Sequence, residues 1–182
     1  MSALTERIPA VLAYLLAQAA ASPALGAADP PVTVIDGQPP TQDVLAVTGT
    51  GLTQRLWVGS GGYKPAGEMD DAAASSDQGF AFLDQARTRD NQIEVQLAAE
   101  AISGDTTMAT ARAGAFAVMA AVELLLRGMP GTSPASPGDA TMGGLVRWSE
   151  VAGPIELSQG QITSGAVALV KFRVSAFVRL TS

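Results

Sequence analysis

From Ala166 to Leu180 every second residue is apolar: Ala166, Ala168, Val170, Phe172, Val174, Ala176, Val178 and Leu180. A period of two held over that length puts all of these side chains on one face of a β-strand, whereas a helix would scatter them around its circumference. Such a strand must bury a whole face, which demands a sheet with a layer packed over it. The opposite face carries Lys171, Arg173 and Arg179 among Val167, Leu169, Ser175 and Phe177, a basic stripe. Residues 91–101 show the same alternation. Ile93, Val95, Leu97, Ala99 and Ala101 lie on one face, and Gln92, Glu94, Gln96, Ala98 and Glu100 on the other. The basic stripe has two readings. It pairs across strands with Glu94 and Glu100, or with Glu150 and Glu156, or it meets another subunit or lines a channel.

The covering layer is predicted between the two strands. Residues 106–127 are rich in Ala, Met and Leu and read as a helix. Ser103-Gly104-Asp105 turns into it, with Asp105 or Thr106 as N-cap, and Gly128 and Met129-Pro130-Gly131 end it. Arg112 and Glu123 are close to three helical turns apart and share a face with Arg127. The rest is apolar nearly all round, which points to burial against the sheet and against a neighbour. Its unbroken apolar run, residues 113–122, falls short of the roughly 20 residues of a membrane span, so no membrane is expected.

The N-terminal stretch allows two readings. Arg7, an apolar run over residues 8–16 and the small residues up to Ala28 resemble a secretory signal. Ile8, Leu12, Leu15 and Leu16 also fall at helical spacing, and Glu6 cancels Arg7. The spacing favours an amphipathic helix stopping near Ser22-Pro23. Beyond it, residues 32–35 and 44–47 read as two antiparallel strands around Asp36-Gly37 and Pro39-Pro40, and residues 54–58 as a third, carrying Trp57. Residues 59–79 read as a long acidic loop with Lys64, Glu68, Asp70 and Asp71 as contact residues, a partner-binding segment. Residues 131–144 form a second loop, rich in Pro, Gly and Ser. The chain closes with a hairpin: one arm over 145–157, a turn over 158–165 and the second arm over 166–180. The whole, residues 1–182, reads as a single α+β domain. It has a mixed, mainly antiparallel sheet, an N-terminal helix and one long central helix packed on it, and a long C-terminal β-hairpin.

Composition narrows the chemistry. The chain has 0 His and 0 Cys, so no Ser-His-Asp or Cys-His pair, no imidazole or thiolate zinc site and no disulfide can form. No GxGxxG or GxxxxGK[ST] motif is present, and Gly59-Ser60-Gly61-Gly62 runs into Tyr63-Lys64-Pro65 rather than a helix. The acids of residues 68–77 match no EF-hand spacing. No catalytic residue, cofactor or metal site is expected. Basic residues number 11 against 17 acidic, a net charge of −6, the opposite of the basic face of a nucleic-acid binder. Charged residues make up 15% of the chain, below the roughly 25% usual in soluble domains. So little charge suits a surface partly buried against other subunits.

The order of elements, together with several strings, resembles the tail terminator proteins of long-tailed, siphovirus-type bacteriophages. The strings are Leu4-Thr5-Glu6-Arg7, Arg112-Ala113-Gly114-Ala115 leading into Val122-Glu123-Leu124-Leu125-Leu126, Leu145-Val146-Arg147-Trp148, and Gly165-Ala166-Val167-Ala168-Leu169-Val170-Lys171-Phe172. The resemblance implies a virion protein made in the host cytoplasm that forms a homo-oligomeric ring, typically a hexamer. Such a ring caps the head-proximal end of the tail tube and stops tube polymerisation. It joins the tail to the head-closure or neck protein, with genomic DNA passing through its lumen, and it performs no catalysis. On this reading Glu94, Glu100, Arg112, Glu123, Arg147, Trp148, Lys171, Arg173 and Arg179 are candidates for inter-subunit or partner contacts. The alternatives are another neck or tail protein (head-closure, tail-completion or tube), a secreted bacterial binding domain, or an enzyme.

Overall fold

A computed structural model describes residues 7–37, 51–62, 73–83, 86–127, 138–163 and 165–181, with side chains described outside 78–90 and 179–181. The fold is α+β, with the helices on one side of a six-stranded mixed sheet. Helix α1 is Arg7–Ala21 and the short α2 is Pro23–Gly26. The strands are β1 (Thr33–Asp36), β2 (Leu52–Val58), β3 (Ala74–Leu83) and β4 (Ala86–Ser103), then, after helix α3 (Met108–Leu126), β5 (Trp148–Ile162) and β6 (Gly165–Thr181). Their order is β1-β2-β4-β6-β5, with β3 also paired to β4.

The two alternating segments lie side by side. β4 and β6 pair antiparallel from Thr88↔Thr181 to Ser103↔Ala166. Their apolar faces coincide: Ile93, Val95, Leu97, Ala99 and Ala101 are buried with Ala166, Ala168, Val170, Phe172, Val174, Ala176 and Val178. Complete burial of a side chain the size of Leu97 or Phe172 contributes about 1.5–3 kcal/mol. α3 covers this face with Ala111, Ala115, Val118, Val122 and Leu126. Gly114 lets the helix approach closely, since a Cβ there would stand 3.0 Å from Ala101 Cβ. The Gly114 carbonyl accepts a hydrogen bond from Gln54 Nε2 at 2.9 Å. By length and composition α3, at 19 residues, could cross a membrane. Packing of one helix face on the sheet accounts for much of its apolar content.

α1 belongs to the same core, through Val11, Leu15 and Ala19. It ends where Ser22-Pro23 predicts: the Ser22 side chain caps α2 by accepting the Leu25 N–H, and Pro23 sits in the first turn. Arg7 donates to the Leu145 carbonyl, tying the start of α1 to the approach to β5. The α3 N-terminus differs from expectation. Thr107 is the N-cap residue and makes no side-chain cap bond. Asp105 acts from two residues earlier, accepting the Thr107 N–H at 2.8 Å and the Ser103 hydroxyl.

Two sequence expectations are corrected, and a third falls on residues that are not described. The expected partner of β1, residues 44–47, lies outside the described residues; β1 itself pairs parallel with β2, Thr33↔Arg55 to Asp36↔Val58. Residues 74–79, expected in the acidic loop, belong to β3, whose register with β4 runs from Ala74↔Val95 to Leu83↔Ala86. In the C-terminal hairpin, residues 158–162 continue β5 instead of turning, and Ile162 pairs with Gly165. Gly165 has φ +139°, and a Cβ on it would lie 2.1 Å from the Ser103 carbonyl oxygen. That conformation and that contact both require glycine.

Between Ala152 and Glu156 the β5 register shifts: Gly153, Pro154 and Ile155 oppose Phe172 alone. Two extra residues preserve the alternation, so Ala152 and Glu156 stay on the same face. Gly153, at φ +78°, supplies the bend.

β4 presents one edge to two partners. β2 pairs with its second half, from Val58↔Leu97 onwards, and β3 with its first half, up to Ala74↔Val95. Gln96 stands at the seam. Its carbonyl accepts the Gly59 N–H at 2.8 Å, and its own N–H donates to the Ala73 carbonyl at 3.1 Å.

Candidate interaction surface

The sheet face away from the helices carries four of the predicted contact residues, Glu94, Trp148, Lys171 and Arg173. Arg173 lies opposite Gln96 in register and reaches diagonally to Glu94, Nη1 to Oε2 at 3.2 Å. Gln92 Nε2 donates to Glu94 Oε1 and to Ser175 Oγ, both at 3.2 Å. This carboxylate is therefore held from two sides. Both members of the pair are well exposed, so its worth is of the order of 0–1 kcal/mol. Lys171 opposes Glu156 in register without an ion pair among the described residues. With Gln96, Pro154, Glu156 and Arg173 it rims a shallow depression of about 40 Å³. Trp148, opposite Phe177, stacks on its ring at a centroid distance of 3.9 Å and 11° between planes. Trp148 stays exposed, so the stack is a flat aromatic platform near one end of the sheet.

The same face is closed at its β2 end. Arg55 Nη1 meets Glu100 Oε2 at 2.9 Å, and both side chains are buried. Glu100 is thus committed to β2 and unavailable to the basic stripe. Trp57 is fully buried there too, and its Nε1 has no hydrogen-bond partner among the described residues. The turn after β2 lies over this area: Gly62, at φ +97°, packs so close that a Cβ would be 2.9 Å from Leu169 Cδ1. Arg55 was not legible as a functional residue. Its parity with Trp57 places the two on one face, but its pairing with Glu100 depends on a β2–β4 register that no local signal specifies.

On the helix layer, Arg127 pairs with Glu123 as the i,i+4 spacing predicts, and Arg112 is exposed towards the other end of α3. Arg147 is exposed, and its N–H donates to the Phe177 carbonyl at 2.7 Å. Arg179 stands opposite Asp90 in register. Lys64, Glu68, Asp70 and Asp71 lie outside the described residues. Among the described residues no group of three or more Asp and Glu is placed to hold a metal ion.

The predicted contact residues therefore do not form one cluster. Glu94, Lys171, Arg173 and Trp148 share the open sheet face, Glu100 is buried beside it, and Arg112 and Glu123 lie on the helix layer. What the sequence did not single out is the apolar part of the surface. Ile155, Leu157 and Ile162 are exposed on β5, which has no strand on its outer side among the described residues, and Phe116 and Leu124 are exposed on α3.

One electrostatic feature braces the molecule. Asp139 accepts the Thr141 N–H at 2.8 Å, Thr141 Oγ1 at 2.7 Å and the Gly143 N–H at 2.7 Å. Burial pushes its carboxyl up, but hydrogen bonds from Thr141, Gly143 and Tyr14 outweigh that and hold it below the usual range. Burial first, then the Asp139 charge and hydrogen bond, raise the Tyr14 phenol. The turn is also tied to α3, because the Asp139 N–H donates to the Leu125 carbonyl at 2.9 Å.

No protein-family model matches the chain, and no curated protein matches it.

Proposed function

We propose that this chain is a ring-forming structural protein of a phage tail, a tail terminator that caps the head-proximal end of the tube and joins it to the neck. The supporting observation is the distribution of exposed apolar surface. An edge strand carries Ile155, Leu157 and Ile162, a separate helix face carries Phe116 and Leu124, and Trp148 lies on the open sheet face. A closed ring needs a heterologous contact, in which one surface of each subunit meets a different surface of the next. Stacking on a tube and a neck protein needs further surfaces. The step from assembly to terminator rests on the resemblance in the order of elements. The prominence of α1 and α3 favours it over a tube subunit, which is more strongly β. On this reading the part works by shape and copy number, with no cofactor and no catalysis.

The test is electron microscopy and native mass of the protein, alone and on tails, with deletion of its gene in the phage. Rings on the tail end, a bore of negative or mixed charge, and a deletion giving unregulated tails that fail to join heads are expected. A continuous arginine-lined bore would count against the sliding-DNA role. Normal tails joined to heads in the deletion would refute the assignment.

A further inference from the structure

The outward face of α3 is apolar along its length, although among the described residues nothing packs against it. Ala113, Phe116, Ala117, Ala120 and Leu124 all face away from the sheet, with Phe116 38% and Leu124 49% exposed. The spacing of these positions makes one continuous stripe, and its three alanines leave room for a second helix to approach closely. The charges beside the stripe identify the partner. At about 100° per residue, Arg112 and Glu123 fall on the same flank of the stripe, about 16 Å apart along the axis. Arg112 is exposed and has no ion pair among the described residues, and Glu123 is half-exposed, with the exposed Arg127 as its one ion-pair partner among them, so it can accept a second cation.

We propose that in the free protein α3 packs antiparallel against α3 of a second copy, about a two-fold axis near Ala117 and Ala120. An antiparallel two-fold lays a flank against the same flank with its order reversed. Each Arg112 then meets the partner's Glu123, and the contact occurs twice. Ala113 falls level with the other copy's Leu124, and Ala117 with its Ala120. A parallel pair would instead lay the charged flank against the opposite, alanine-lined flank and leave Arg112 unanswered, with Glu123 held by Arg127 alone. Charge complementarity therefore selects both the occupant and its direction. The contact is isologous, whereas a ring contact is heterologous, so the pairing does not rest on the phage reading and survives or fails separately.

The chain's lack of cysteine, 0 in all, makes the test direct. Sedimentation of the full chain should give a dimer, and Phe116→Glu should halve the sedimenting mass while leaving the circular dichroism spectrum unchanged. Arg112→Glu and Glu123→Lys should each weaken the dimer, and the double variant should restore it. Under mild oxidation Ala120→Cys should give a covalent dimer. Leu124→Cys alone should not, but a mixture of Ala113→Cys and Leu124→Cys chains should. A monomer at high micromolar concentration, or efficient self-cross-linking of Leu124→Cys, overturns the proposal.

Discussion

Asn91 sits on the core face of β4 opposite Val178, 2% exposed, and among the described residues neither its amide nitrogen nor its oxygen has a hydrogen-bond partner. A buried polar group left unmatched is paid for in full desolvation, about 1–3 kcal/mol. Asn91→Leu has similar volume and removes the penalty. It should raise the urea midpoint by an equivalent of about 1–2 kcal/mol with an unchanged m-value, as equilibrium unfolding would show. Asp139 makes a prediction of the opposite kind. Its folded pKa is depressed, so its contribution is present above the ordinary carboxylate range, near 4, and is lost as pH falls through the folded value. Asp139→Asn should therefore lower Tm at pH 7, and the gap from the parent should narrow below about pH 4; thermal melts across pH 3–8 check it. At this scale the sequence was half legible. The Glu123–Arg127 pair follows from helical spacing, and Arg173 finds one of the acids proposed for it, Glu94. Glu100 went elsewhere because residues distant in sequence decide which charge stands opposite.

Among the elements, those with long internal periods were the most readable. β4, β6 and α3 follow from their own side-chain patterns, because burial enforces the pattern along the whole length. β3 did not, since what fixes it is backbone pairing with β4. β1 was readable as a strand from its β-rich residues 32–35, but its parallel pairing with β2 carries no local signal. Residues 74–79 have the composition of a loop and become a strand because the β4 edge is there to receive them. The register of β2 is reinforced by the directly opposed pair Arg55↔Glu100. Breaking a buried pair by removing one partner strands the other charge, at about 3–5 kcal/mol, whereas replacing both by apolar residues is near neutral. Glu100→Gln should thus be strongly destabilising, and Arg55→Met with Glu100→Leu should return stability to within about 1 kcal/mol of the parent, read by chemical denaturation.

For the whole molecule, one helical layer on one sheet was readable from the demand that every apolar face be covered. The exposed apolar surfaces were less readable. Exposure of Phe116, Leu124, Ile155 and Leu157 is a property of the assembled fold, and apolar residues on a helix that is apolar nearly all round carry no mark of facing outward. The seam in the β4 edge has a consequence for how such a chain can diversify. The backbones entering and leaving residues 60–72 are both hydrogen-bonded to Gln96, so the two ends are fixed next to each other by the sheet itself. Lengthening a connection between ends already held together adds only a slowly growing entropic cost. This is a grafting point, where an epitope, a fluorescent peptide or a foreign recognition sequence can be spliced in while β2, β3 and β4 keep their places.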